Sequence, residues 1–126
     1  MKRKLAVLFF LLAFLVPGIV GAVDKDDFKV PTTEDFVDLC VVPVDHPYYV
    51  ASVHFVQGYL VGAYHYYAAQ AAGPKGNKFV CLPDKLPTRN EVIDMFVKWA
   101  NAHPQYMKET PVETVFRFLT EKWPCK

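Results

Sequence analysis

His54–Ala72 reads HFVQGYLVGAYHYYAAQAA and carries no formally charged side chain. Counted back to Tyr48, the uncharged stretch reaches 25 residues, long enough at about 1.5 Å per residue to cross a bilayer. Its polar content argues against that. Six tyrosines, two histidines and two glutamines lie between Tyr48 and Ala72, and their hydroxyls, imidazoles and amides are costly in hydrocarbon without partners. Membrane spans concentrate Tyr at their ends, whereas Tyr59 and Tyr64 sit near the middle. The stretch therefore reads as the central helix of a small soluble domain, from about His46 to Ala72 and roughly 40 Å long. Asp45 is the expected cap, and Pro47 fits a first turn whose amides need no internal partner. Gly73, free to turn left-handed, and Pro74 supply the stop. Gly58 and Gly62 share a face, where the missing side chains would let another helix approach closely. The same face leaves room for a homodimer.

The histidines of this helix do not suggest a metal site. His54 and His65 are eleven residues apart, which places them about 16 Å apart along a helix axis. No Asp, Glu or His stands at the next turn to complete a ligand pair with either. Nucleophilic chemistry has equally little support. Ser52 lies between Ala51 and Val53 without a glycine-rich turn, and a Cys40 nucleophile would need a distant His as base. The residues suggest no catalytic site, no metal and no cofactor.

The first 22 residues, MKRKLAVLFFLLAFLVPGIVGA, place Lys2, Arg3 and Lys4 before an apolar run from Leu5 to Val16, followed by Pro17, Gly18 and small residues. This is the layout of a secretory signal peptide, with cleavage expected after Ala22 and a periplasmic destination. Cleavage removes three of the 14 basic side chains and leaves 11 against 13 acidic ones, net −2. Such a weakly acidic, dispersed charge offers no footprint for nucleic acid or anionic lipid. The three cysteines, Cys40, Cys81 and Cys125, allow at most one internal bridge in an oxidising compartment.

Residues 23–31, VDKDDFKVP, read as a flexible, charged lead-in. TTEDFVDLC then sets hydroxyls and acids before an apolar face of Phe36, Leu39 and Cys40, giving a helix from about Thr33 to Cys40. After the long helix, NKFVCLPDKLP is an extended, proline-bounded connector. TRNEVIDMFVKWANAHP opens with Thr88 and Glu91, spaced as a capping box, and carries a stripe of Val92, Phe96 and Trp99. TPVETVFRFLTEKWPC repeats the device with Thr110, Pro111 and Glu113 ahead of Val112, Val115, Phe116 and Leu119. The expected architecture over residues 32–126 is all-α: four helices with short, antiparallel connections.

Five elements in this order resemble a known family: VDLC ending at Cys40, VQGYLVG over 56–62, FVCLP around Cys81, WANAHPQ with His103 and Pro104, and KWPC ending at Cys125. Together they are similar to the Rap/Tai-like periplasmic immunity proteins of type VI secretion, which neutralise peptidoglycan amidase effectors. The resemblance covers nearly the whole mature chain and departs at Val56, where the family usually has Cys. In the family's four-cysteine pattern Cys40 would pair with position 56. The resemblance thus implies a Cys81–Cys125 bridge and an unpaired Cys40. It also implies a non-enzymatic protein that binds and inhibits a cell-wall amidase. AAGPKGNKF and NAHPQYMKET are the exposed connectors that would reach such a partner, with Tyr106 and Met107 as anchors. The rival expectation, from four histidines and a high aromatic content, is a periplasmic acid-stress chaperone-like protein.

Overall fold

A computed structural model describes residues 23–126; the expected leader, residues 1–22, lies outside the described residues. Four helices follow one another: α1 (Thr33–Cys40), α2 (Tyr49–Ala71), α3 (Arg89–Asn101) and α4 (Pro111–Lys122). Short 3-10 turns occupy Asp27–Lys29 and Pro104–Tyr106. Among the described residues there is no strand, only an isolated antiparallel bridge between Val80 and Pro124. The expected all-α, four-helix class is the one found.

Local chemistry explains most helix starts. At α1, the Thr32 hydroxyl accepts from the Asp35 amide while the Asp35 carboxylate accepts from the Thr32 amide at 3.0 Å. At α3, Thr88 and Glu91 exchange the same pair of bonds. Each box satisfies amides that a helix start otherwise leaves open. The second expected box does not form in full. Thr110 donates its hydroxyl to the Glu113 carboxylate at 2.9 Å instead of capping a backbone amide, and Pro111 takes the first helical position.

The long helix is shorter than its uncharged run. Asp45 is not its cap: the His46 amide donates to the Pro43 carbonyl at 3.0 Å and the Tyr49 amide to the His46 carbonyl at 2.9 Å. These tight turns consume the residues before Tyr48, and α2 starts after them. At the other end Gly73 is not left-handed. The chain folds back at Gly76, where a Cβ would sit 2.3 Å from the Ala71 carbonyl oxygen. Gly76 is thus the glycine that this turn requires.

The shortest helix occupies the centre. α1 packs on α2, α3 and α4 as well as on the first 3-10 turn. Its Phe36 is fully buried, with its ring centroid 4.8 Å from Tyr59 and 5.9 Å from Phe96. Burying a side chain of this size stabilises by about 1.5–3 kcal/mol. Because α1 approaches both C-terminal helices, their buried faces are rotated by about one residue from the expected stripes. α3 buries Ile93, Phe96 and Ala100; α4 buries Val115, Phe118 and Leu119, while Val112 is exposed.

Within residues 23–31, expected as a flexible lead-in, Val23, Phe28 and Val30 are packed while Asp24, Lys25, Asp26 and Lys29 stay exposed. Phe28 meets Tyr48 and Phe55 edge-on at 5.8 and 5.4 Å, and Val23 is buried. Val30 adopts φ 42°, ψ 55°, a left-handed conformation that costs a β-branched residue about 1–2 kcal/mol. Its side chain packs against the core, and that contact offsets the strain.

Two buried polar positions behave oppositely. The hydroxyls of Thr33 and Thr114, both 0 % exposed, lie 2.7 Å apart, with the Glu109 carbonyl 3.1 Å from Thr33 and the Tyr106 carbonyl 3.3 Å from Thr114. Ser52 in α2 is also 0 % exposed, but its Oγ has no hydrogen-bond partner among the described residues.

Cys81 and Cys125 form a disulfide across 44 residues of sequence, the pairing that the resemblance implied. The bridge flanks the Val80–Pro124 contact, where the Cys81 amide donates to the Trp123 carbonyl at 2.8 Å. Nearby the buried Tyr67 hydroxyl accepts from the amides of Phe79 and Val80 at 2.8 and 2.9 Å. One tyrosine of the uncharged helix therefore fixes the connector that carries Cys81.

Conservative substitutions at the two buried hydroxyl sites should differ in sign. Thr33→Val is expected to lose about 1–3 kcal/mol of unfolding free energy in urea, because Thr114 keeps a buried hydroxyl with one partner fewer. Ser52→Ala is expected to be neutral or stabilising, because it removes an oxygen that bonds to nothing. Opening the disulfide with reductant, or with the double substitution Cys81→Ala and Cys125→Ala, should cost about 2–4 kcal/mol, seen as a lower urea midpoint.

Candidate functional site

The residues singled out as partner anchors lie where α3 hands over to α4. His103 lies just past the end of α3, and its Nδ1 is 2.7 Å from the Trp99 carbonyl oxygen. Pro104 then opens the 3-10 turn that brings Tyr106 back beneath the helix end. Trp99 stacks on His103 at 4.0 Å and lies nearly parallel to Tyr106, 6° apart at 5.8 Å. From α4 the Arg117 guanidinium sits 4.7 Å above the Tyr106 ring. Arg117 also holds Glu109 through two bonds, at 2.8 and 2.9 Å.

The opposite side of this loop is bound to α1. The first amides of α1 have no partner in their own helix, and Thr33 and Glu34 donate theirs to the carbonyls of Glu109 and Met107 at 2.8 and 3.0 Å. Lys108 and Glu34 add an exposed ion pair. The loop is thus fixed on both flanks before any partner arrives. A shallow depression of about 560 Å³ opens beside it, walled by Trp99, Tyr106, Phe116 and Arg117 and edged by Glu113 and Glu121. The Trp99 indole N–H donates to Glu121 at 3.0 Å.

The structure separates the two expected anchors. Tyr106 is half-buried and belongs to the depression. Met107 is turned against the core, because its carbonyl serves α1. Arg117, Trp99 and Glu121 have equal standing beside Tyr106, and the sequence reading passed over them in this role. The four-residue spacing of Trp99 and His103 was a legible signal; the approach of Arg117 from another helix was not.

Gly58 and Gly62 are corrected as internal packing positions. Both are exposed, and a Cβ at either would meet nothing within 4 Å. α2 buries the face that carries Ser52, Val56 and Tyr67 and turns the glycines to solvent together with His54 and His65. Among the described residues no helix is long and apolar enough to cross a membrane, and no group of three His, Cys, Asp or Glu could hold a metal ion.

Cys40 is a free thiol at the end of α1. It faces a cavity of about 250 Å³ whose walls include Leu39, Val53, Val56 and Asp94. Burial first, and then the Asp94 carboxylate, push the thiol up to about 12. At neutral pH it stays protonated and is a poor nucleophile. Val56, 1 % exposed, lines the same cavity. On α1, burial and then the nearby Glu34, Asp27 and Asp35 raise Asp38 above the usual carboxylate range.

The shared cavity makes position 56 a site for a second bridge. Val56→Cys is expected to pair with Cys40 on oxidation and to stabilise the domain by up to about 3 kcal/mol. A thiol reagent should find one slow thiol in the native parent, one fast thiol after unfolding, and none in the oxidised variant. Two free thiols in the oxidised, unfolded variant would show that the side chains do not meet.

A family model described as Rap1a immunity proteins matches residues 32–125, well over half of the chain. No curated protein and no solved structure matches it. The matched span begins at Thr32, the cap of α1, and ends at Cys125 of the disulfide, so it takes in all four helices and the aromatic loop between α3 and α4. Proteins of this family are typically periplasmic, and membership implies binding to a cognate effector. The chain belongs to the Rap1a immunity proteins, a family of type VI secretion immunity proteins.

Proposed function

We propose that this protein is an exported, non-catalytic inhibitor that binds a peptidoglycan amidase effector in the periplasm and covers its cleft. The observation that carries the reading is the family match over residues 32–125; the sequence motifs add the amidase class. Membership favours effector binding over the acid-stress chaperone. The contact surface we assign is the depression around Tyr106, Trp99 and Arg117, with Glu113 and Glu121 at its edge. Binding energy concentrates in a few Tyr, Trp and Arg side chains held in well-packed surroundings, and these three are already fixed by stacking and by the Arg117–Glu109 pair. A loop ordered beforehand loses little conformational freedom on docking.

A second copy of the chain is proposed at the exposed glycine face of α2. Sedimentation of the purified domain, with Gly58→Glu and Gly62→Glu expected to return dimers to monomers, tests that part separately.

The inhibitor reading is tested by expressing the full chain with candidate amidase effectors sent to the periplasm. Survival and a stable complex are expected with the cognate effector, and peptidoglycan cleavage by that effector should fall when purified domain is added. Arg117→Ala and Tyr106→Ala should each weaken the complex at least tenfold. For Arg117→Ala the melting temperature should fall by no more than a few degrees, because the Arg117 side chain is about half exposed. Neither complex nor protection with any amidase effector would overturn the amidase assignment, and full affinity in both variants would move the interface elsewhere.

A further inference from the structure

α2 packs on α1, and α3 packs on α4 and α1, but α2 does not close tightly on the α3–α4 pair. The gap is a half-open cleft of about 210 Å³ between Leu60, Val61 and Tyr64 of α2 and the floor of Ile93, Phe96 and Phe118. The connector forms its lip, where Leu86 is 58 % exposed. Collapse is opposed by the frame around it. The Cys81–Cys125 bridge and the Tyr67 hydroxyl fix one end of the connector, and Gln57 of α2 donates to Asn90 of α3 at 3.1 Å across the rim.

The rim is asymmetric in charge. No Asp or Glu lines the cleft, whereas Arg89 and His65 do. Arg89 is exposed at the first position of α3 and makes no ion pair among the described residues. A guanidinium stays charged at any working pH, and it stands here at a helix start, whose dipole also favours an anion.

We propose that this cleft binds a single-chain anionic amphiphile: one medium alkyl chain among the leucines and phenylalanines, with its carboxylate at Arg89 and His65. Size selects the class. An apolar cavity of roughly 150 Å³ stays dry and accepts one benzene, so this cleft takes one chain of moderate length and excludes a two-chain lipid. The site is separate from the depression at Tyr106 and does not rest on the amidase reading. It also gives a use to the uncharged inner face of α2.

The test is titration of the purified mature domain with sodium octanoate, followed by calorimetry and by the fluorescence of Trp123, which lines the cleft. Saturable binding and an altered Trp123 signal are expected, with affinity falling about fourfold for each methylene removed toward butanoate. Octanol, and octanoate with Arg89→Gln, should each bind about tenfold more weakly. Val61→Trp, which fills the cleft, should abolish binding while circular dichroism shows the helices retained. No saturable binding of octanoate to the parent domain would overturn the proposal. Equal binding of octanol, or undiminished binding to Arg89→Gln, would overturn the anionic head group, and binding that survives in folded Val61→Trp would overturn the cleft. Arg89→Gln lies on the surface and keeps the proposal testable if Val61→Trp does not fold.

Discussion

The domain closes on two hydroxyls. Thr33 begins α1, Thr114 lies in the first turn of α4, and they are 81 residues apart in the chain yet 2.7 Å apart in space. Because both are fully buried, each must spend its hydrogen-bonding capacity inside the protein. The acceptors available are the carbonyls of Tyr106 and Glu109, which sit on the loop between α3 and α4. One small network therefore fixes the start of the central helix, the start of the last helix and the loop that carries the aromatic stack. The free amides of Thr33 and Glu34 reinforce it from the backbone. A loop that would ordinarily be the softest part of a helical bundle becomes one of its most constrained.

At the far end the constraint is covalent. The Cys81–Cys125 bridge joins the connector before α3 to the chain after α4, and Tyr67 holds the same connector against α2. Between the hydroxyl network and the bridge, α3 and α4 are tied at both ends, while α2 is held through α1, through Tyr67 and by the single exposed Gln57–Asn90 bond at the rim. The cleft beside Val61 follows from that difference. Two surfaces of unlike chemistry result, one aromatic and polar on a fixed loop, one apolar with a cationic rim.

Helix number and most helix ends were legible because they depend on neighbours in sequence. Thr88 and Glu91 announce α3, Pro111 announces α4, and each exerts its effect within one turn. The failures share a different cause. The start of α2, the rotation of the apolar stripes and the packing of Phe28 are set by contacts between segments distant in the chain. Gly58 and Gly62 show the limit most clearly: a small-residue pattern says that close approach is allowed, not that anything approaches. Of the proposed contact surface, Tyr106 was legible as an aromatic in an exposed connector. Arg117 and Glu121 were not, because only the packing of α4 against the loop gives them a shared surface.

An oxidised pair and a reduced cysteine coexist in this small domain, and the environment of Cys40 explains how. Exchange between a thiol and a disulfide proceeds through the thiolate, and a thiol held at about 12 supplies almost none near neutral pH. Once α1 is docked, the Cys81–Cys125 bond is insulated from the third sulfur. Before docking there is no such protection, because Cys40 in an unfolded chain ionises as an ordinary thiol does. Burial of the central helix therefore also governs the sulfurs: once α1 has seated, Cys40 no longer exchanges with the native bridge, and reshuffling from within the chain stops.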